Sequence, residues 1–153
     1  MTRIALDTNI LAYLAGVSRS SKDETKIAQS REIVRSLRGR ASLIVPTQAL
    51  GELFAVLRRS AVPPDEARRT LAEFAETLGS AASEPRTALA AADLAVDHRF
   101  QFWDALILSA SVDAGCTMLL SEDMPDGFVT RGLTIVNPLI EKVNPKLSRL
   151  LSA

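Results

Sequence analysis

Acidic side chains in or beside four apolar stretches of this sequence are its strongest candidates for chemistry. They are Asp7, Glu52, Asp104 and one of the acids in the loop "SEDMPDGF", which are Glu122, Asp123 and Asp126. An ionised carboxylate among apolar residues is costly unless it has a partner or reaches a wet cleft. Each acid alone has a simpler explanation. Asp7 could cap the helix that follows it, and the loop acids could belong to a turn. The other two could lie at the edges of buried helix faces.

A shared site for the four acids would require a cation. Converging carboxylates repel one another and raise each other's pKa values, and a divalent cation removes that conflict. A ligand set made only of oxygen atoms favours Mg²⁺ or Mn²⁺, whereas Zn²⁺ prefers imidazole or thiolate. The sequence contains one His and one Cys, which disfavours zinc. We therefore expect a site for Mg²⁺ or Mn²⁺, with a phosphate ester as the kind of target.

The elements that must position these acids follow from an alternation of apolar runs with helical patterns. Strands are predicted at 3–6, 42–45, 117–120 and 133–136, and helices at 8–15, 23–38, 47–60, 65–78, 86–98 and 101–114. Strands separated by helices form a parallel sheet with right-handed crossovers. We expect a single α/β domain whose short parallel sheet, of about four to five strands, is flanked by helices on both faces.

This architecture favours one cluster over four unrelated acids. In open parallel sheets, sites form beyond the carboxyl ends of the strands, at the point where the strand order reverses. Asp7 directly follows the first predicted strand, and Glu122, Asp123 and Asp126 lie in the loop after the third. The two acids on apolar helices are then best explained as members of the same site.

Composition restricts the class of protein. The chain of 153 residues is 47% hydrophobic and 24% charged, as expected for one globular domain with its own core. The single cysteine, Cys116, rules out an internal disulfide, and the N-terminus lacks the pattern of a secretory leader. The apolar runs fall short of the roughly 20 residues of a membrane helix. We expect a cytoplasmic protein with no membrane span.

Charge is balanced overall but uneven along the chain. The formal net charge of +0 argues against a uniformly basic nucleic-acid binder. Residues 1–40 nevertheless hold eight basic groups against four acidic ones. Arg31, Arg35 and Arg38 are spaced to share one helical face. This stripe is either a solvated surface or a contact for phosphate.

The motifs and their order resemble those of the PIN-domain nucleases, and among them the VapC-type toxins of bacterial and archaeal toxin–antitoxin pairs. The matching segments are "ALDTNIL", "ELFAVL", "FQFWDALILSAS", "LLSEDMPDG" and "IVNP". "DTN" alone is weak, but its combination with "FWDALI" and "LLSEDM" is specific, and the segments cover nearly the whole chain. "GSAASEP" departs from the pattern, because relatives have a hydrophobic strand there, and this leaves the edge strand in doubt.

The resemblance implies that Asp7, Glu52, Asp104 and Asp123 form the catalytic and metal-binding set, with Mg²⁺ or Mn²⁺ as cofactor. Supporting positions in the same motifs are Thr8, Asn9, Ser121 and, in second rank, Asp126. Glu122 is expected to be exposed. A PIN-like domain over 1–137 is implied, with 138–153 as a C-terminal extension that is helical and packs on the domain or on a partner.

The implied activity is a metal-dependent endoribonuclease of a toxin–antitoxin pair. Its implied partners are an RNA substrate, a cognate antitoxin that places an Arg near the acids, and a second copy in a homodimer. One alternative is an RNA-processing PIN nuclease without an antitoxin, and another is a catalytically silent PIN module that binds RNA or protein. A phosphatase with Asp7 as nucleophile is disfavoured, because the haloacid-dehalogenase pattern needs an Asp where this chain has Asn9.

Overall fold

The computed structural model of the chain describes residues 1–17 and 20–153, and a six-stranded sheet forms its centre. The strands are β1 (Thr2–Leu6), β2 (Ala41–Pro46), β3 (Gly79–Ala81), β4 (Met118–Leu120), β5 (Val129–Thr130) and β6 (Leu133–Val136). Their order across the sheet is β3-β2-β1-β4-β6-β5. All neighbours are parallel except β5 and β6. The four predicted strands are confirmed, and β3 and β5 are additional.

The two additional strands are short edge elements. β3 pairs with the end of β2, with Gly79 opposite Ile44. A Cβ at Gly79 would lie 2.6 Å from Ile44 Cδ1, so glycine permits this close approach. β5 turns back onto β6 through Arg131 and Gly132, both with positive φ, as in the tight turns of β-hairpins. The sheet is therefore mixed rather than wholly parallel.

Helices flank the sheet, as predicted. They are α1 (Thr8–Leu14), α2 (Ser21–Leu37), α3 (Thr47–Arg59), α4 (Pro64–Thr77), α5 (Pro85–His98), α6 (Phe102–Asp113) and α7 (Pro145–Ser152). The first six match predicted helices to within two residues at each end. In the ranges that the structure describes, no helix is both long enough and apolar enough to cross a membrane.

The core surrounds the two central strands and α6. Ile4, Leu6, Leu119 and Leu120 are fully buried, which explains why these strands are continuous apolar runs rather than alternating ones. Seven consecutive residues of α6, 105–111, are also buried. A helix that is covered all round has no polar face, and α6 therefore presents Asp104 from a rigid, fully packed support.

The C-terminal segment is helical only over α7, which contacts α2. Asn144 caps this helix by accepting a hydrogen bond from the backbone N–H of Lys146 at 2.9 Å. Lys146 Nζ donates to Thr134 Oγ1 on β6 at 2.8 Å, and Leu147 is fully buried. Arg40 donates to the carbonyl oxygen of Leu151 near the helix end, at 2.5 Å.

Candidate active site

A cleft of about 600 Å³ opens at the carboxyl ends of the central strands. The strand order reverses between β1 and β4, because β2 and β3 lie on one side of β1 and the later strands lie on the other. The backbone N–H of Asp7 donates to the carbonyl of Leu120 at 3.0 Å, so the β1–β4 pairing continues to the edge of the cleft. The site therefore lies at the position where open α/β sheets form their sites.

Asp7 is the most deeply placed of the acids, with 3% of its surface exposed. It is the N-cap of α1, and its Oδ1 accepts from the backbone N–H of Thr8 at 2.7 Å. Its Oδ2 accepts from Ser121 Oγ at 2.6 Å and from Asn9 Nδ2 at 3.2 Å. Asp7 therefore caps α1 and also lines the cleft, because a helix N-terminus and the end of β1 meet at one residue.

The acids influence one another electrostatically. Burial raises the pKa of Asp7 from 3.8 to about 6, its hydrogen bonds oppose the shift, and the charges of Asp104 and Glu52 add to it. Burial also raises the pKa of Asp104, and the charges of Glu52 and Asp123 raise it further. All four candidate acids therefore lie within interaction distance at one cleft.

Asp104 and Glu52 come from helices on different parts of the chain. Asp104 lies in the first turn of α6, and its backbone N–H donates to the side chain of Gln101 at 2.9 Å. The macrodipole of α6 favours an ionised acid there, but burial and the neighbouring acids outweigh it and raise the pKa. Glu52, on α3, accepts from Thr8 Oγ1 at 2.7 Å. Thr8 therefore connects two of the acidic positions.

Asn9 joins α1 to the loop after β4. Its Nδ2 lies 3.2 Å from Asp7 Oδ2 and also 3.2 Å from Asp123 Oδ2. Its Oδ1 accepts from the backbone N–H of Glu122 at 3.1 Å. One amide nitrogen thus contacts two carboxylates that are far apart in sequence, and Asn9 sets the distance between them.

The expectation that Glu122 is exposed is wrong. Only 20% of its side chain is exposed, because it accepts from Tyr13 OH at 2.6 Å and pairs with Lys26 Nζ at 2.8 Å. Burial, followed by the contact with Glu122, raises the pKa of Tyr13. The hydrogen bond to Glu122 is the main cause that raises the pKa of Lys26. Glu122 therefore links α1 and α2 to the loop after β4 along one side of the cleft.

Asp126 is the predicted supporting residue that the structure does not bring to the cleft. It is exposed, and its Oδ1 accepts from the backbone N–H of Asn137 at 2.8 Å. This bond ties the loop after β4 to the end of β6. Its role in the structure is to hold that loop.

Sequence reasoning missed Tyr13 and Asp23, which line the cleft, and offered Arg59, which also lines it, only as one of several optional phosphate contacts. Tyr13 follows Asn9 by four residues and Arg59 follows Glu52 by seven, so helical spacing placed both on the relevant faces. No sequence signal identified Asp23. The stripe of Arg31, Arg35 and Arg38 is elsewhere: it lines a separate groove together with Phe74 and Leu78.

The donor atoms at the cleft suit a hard divalent cation, since the candidate ligands are all carboxylate oxygens. A single atom, Asn9 Nδ2, already reaches both Asp7 and Asp123, which shows that one small group can contact two of the acids. Among the described residues, no three potential metal-binding side chains are arranged tightly enough to coordinate an ion as they stand. The chemistry of the site fits Mg²⁺ or Mn²⁺, and binding would require side-chain adjustment.

Comparison with known proteins identifies relatives of this fold. The sequence profile described as PIN domain matches residues 4–124. No curated protein sequence matches significantly. The fold is similar to VapC20 of Mycobacterium tuberculosis, described as a sarcin–ricin loop cleaving toxin, with 17% identity, a TM-score of 0.64, and coverage of 78% of this chain and 89% of that one.

Two further solved structures share the fold. One is VapBC2 of Rickettsia felis bound to a promoter DNA fragment, at 15% identity and a TM-score of 0.61, covering 78% of this chain and 87% of that one. The other is a toxin–antitoxin complex of Klebsiella pneumoniae, at 16% identity and a TM-score of 0.62, covering 88% of this chain and 97% of that one. At such low identity, the similarity concerns the fold alone.

Proposed function

This chain belongs to the PIN domain family, and from that premise we propose that it is a metal-dependent endoribonuclease, the toxin of a toxin–antitoxin pair. The observation that supports the proposal most directly is the acidic cleft. Asp7, Asp104 and Glu52 interact there, beyond the ends of β1 and β4. The structures that share the fold include a toxin described as cleaving the sarcin–ricin loop and a toxin–antitoxin complex.

Asp7, Glu52, Asp104 and Asp123 are the residues that would hold Mg²⁺ or Mn²⁺. When bound, such a cation supplies activation of water and neutralises the charge that develops on the phosphoryl oxygens. The chain itself positions the acids: Ser121 and Thr8 orient Asp7, and Asn9 holds Asp123 beside it. Thr8 Oγ1 orients Glu52. These contacts hold the carboxylates at one cleft beyond the ends of β1 and β4, where a phosphodiester would bind.

The test is RNA cleavage by the purified chain with Mg²⁺ or Mn²⁺. Asp104→Asn should lower the cleavage rate by about 100-fold or more, because it removes a ligand and a charge from the cleft. Asp126→Asn is the matched control, since this acid is exposed and lies outside the cleft. Undiminished cleavage in excess EDTA would refute the metal mechanism, and equal activity of Asp104→Asn and wild type would remove Asp104 from the site.

The proposed partners are an antitoxin that binds over the acids and a second copy of the chain. An antitoxin Arg at the cleft would compete with a cation for the carboxylates through charge-assisted hydrogen bonds. Expression of the chain alone should then arrest growth, and co-expression of the adjacent reading frame should relieve the arrest. Growth arrest that the adjacent frame fails to relieve would favour an RNA-processing PIN nuclease.

A further inference from the structure

One face of α3 carries both an acid and a cation into the cleft. Glu52, Val56 and Arg59 are spaced i, i+4 and i+7, and all three line it. The rise of a helix separates Glu52 from Arg59 by about 10 Å along the axis. Glu52 is half-buried and Arg59 is exposed, so Arg59 lies nearer the rim of the cleft than Glu52 does.

Arg59 differs in charge from the rest of the lining. The acidic residues that line the cleft are Asp7, Asp23, Glu52, Asp104, Glu122 and Asp123. Arg59 is the one cation among the described lining residues, and it forms no ion pair with any residue that the structure describes. Lys26, the nearby alternative, is already paired with Glu122 at 2.8 Å.

We propose that Arg59 binds a backbone phosphate of the RNA strand, next to the phosphate that reaches the acids. This inference rests on the proposed nuclease function and names a residue that positions its substrate. A strand of phosphates entering an acidic cleft is repelled, and a free guanidinium at the rim offsets that repulsion with charge-assisted hydrogen bonds. The separation of about 10 Å along the helix favours a neighbouring phosphate over the reacting one.

Two other roles for Arg59 are weaker. A cation in the last turn of a helix stabilises the macrodipole, but Arg58 does so as well and also donates from Nη1 to the carbonyl of Val62 at 2.6 Å. A protein segment that neutralised the acids would be cationic, and Arg59 would repel it. The positive charge of Arg59 itself, unlike the acidic charge of the rest of the lining, therefore favours a polyanion at this position.

The experiment compares Arg59→Gln with Arg58→Gln, both in the Asp104→Asn background and in EDTA, where RNA should remain uncut during the measurement. Binding of a fluorescein-labelled single-stranded oligouridylate is measured by anisotropy over a range of salt concentrations. Arg59→Gln should weaken binding about tenfold, as expected for loss of a charge-assisted hydrogen bond. The slope of log K against log salt should become less negative by about 0.7, the value for one phosphate contact on a single strand. Arg58→Gln should change neither quantity.

Cleavage kinetics in the otherwise wild-type chain provide the second readout. Arg59→Gln should raise KM with little change in kcat, because the contact forms in the ground state as well as the transition state. Arg59→Lys should recover part of the affinity, since it keeps the charge and loses the bidentate geometry. Thermal unfolding of each variant verifies that the exposed substitutions leave the fold intact.

The outcomes separate the two proposals. Equal affinities and equal salt slopes for Arg59→Gln and Arg58→Gln, in a protein whose wild type cleaves RNA, would overturn the phosphate contact and leave the nuclease function standing. Unchanged RNA binding by Arg59→Gln together with weaker binding of the adjacent antitoxin would also overturn it, in favour of a protein contact. A wild-type chain that neither binds nor cleaves RNA would overturn both.

Discussion

The carboxylate of Asp7 caps α1 and also forms the most buried part of the acidic cleft. Three donors, the N–H of Thr8, Ser121 Oγ and Asn9 Nδ2, hold it in place. These bonds favour the ionised form, yet burial dominates and raises the pKa. A carboxylate held in this way is poised to accept a cation, which would remove the remaining electrostatic cost.

Asp7 should make the cation-free protein less stable as the pH rises. Its pKa is raised from 3.8 to about 6 on folding, so the folded state binds the proton more tightly than the unfolded chain does. The contribution of Asp7 to stability is therefore greatest below the unfolded pKa and is lost as pH rises through about 6. A shift of this size means that ionised Asp7 destabilises the folded state by about 3 kcal/mol at neutral pH. A substitution that removes the charge recovers this free energy, minus the contribution of any hydrogen bonds of Asp7 that it breaks.

Asp7→Asn should flatten this pH dependence and leave the free energy of unfolding at neutral pH unchanged or higher. Urea unfolding in EDTA, at pH values on either side of 6, measures the effect. Asp126→Asn is the control and should retain the wild-type pH dependence. A wild-type slope in Asp7→Asn would show that another group causes the pH dependence.

Ser121 and Ser109 provide a matched pair of buried hydroxyls. Both are fully buried, but Ser121 Oγ donates to Asp7 and accepts from the N–H of Met124 at 3.1 Å. Ser109 Oγ has no hydrogen-bond partner among the described residues. Ser121→Ala should lower the free energy of unfolding by about 1–3 kcal/mol, because it leaves a buried N–H unsatisfied. Ser109→Ala should leave the free energy of unfolding unchanged or raise it. Chemical denaturation measures both variants, and an equal decrease in the free energy of unfolding for Ser121→Ala and Ser109→Ala would contradict this prediction.

At the scale of elements, α3 ends in a turn that usually contains glycine. Val62 N–H donates to the carbonyl of Leu57, and Ala61 N–H donates to that of Arg58, which is the pattern of a Schellman motif. Ala61 therefore occupies the left-handed position, with φ 64°. The backbone of an L-residue is disfavoured there, and the chain accepts this cost to end α3 beside the cleft.

Ala61→Gly should therefore raise the free energy of unfolding by about 1 kcal/mol. The opposite substitution at the turn after α2, Gly39→Ala, serves as comparison. Gly39 has φ +82°, and an added Cβ would have no heavy atom within 4 Å. Gly39→Ala should therefore lower the free energy of unfolding through backbone conformation alone. Denaturant midpoints that move in opposite directions would support the argument, and a destabilised Ala61→Gly would refute it.

At the scale of the whole molecule, the last helix is part of the packed structure. Leu147 of α7 is fully buried, while Leu89 on α5 is 69% exposed. Leu147→Ala should lower the free energy of unfolding by about 2–5 kcal/mol, whereas Leu89→Ala should change it little. Calorimetry of both variants measures the difference. A minor effect of Leu147→Ala would show that α7 is dispensable for the stability of the domain.

The sequence by itself determined the main elements and the acidic positions. The strands containing Ile4 and Leu119 are buried on both faces and are therefore continuous apolar runs, and a local pattern is enough to predict them. Asp7 and Asp123 follow two such strands, and the reversal of strand order brings strand ends together. Alternation of strands and helices thus implied a common edge for these acids before any distance was known.

Tertiary structure alone decided which neighbouring side chains join the acids. β3 forms because the open edge of β2 pairs with Gly79–Ala81, although that segment has little strand character of its own. Glu122 is held inward by Tyr13 and Lys26, whereas Asp126 is held away from the cleft by Asn137. Helical periodicity is a property of nearby residues, but the direction in which a face points depends on contacts between residues far apart in sequence. The hydrogen bonds of Tyr13 with Glu122 and of Ser121 with Asp7, which join residues 109 and 114 positions apart, are such contacts, and no local pattern encodes them.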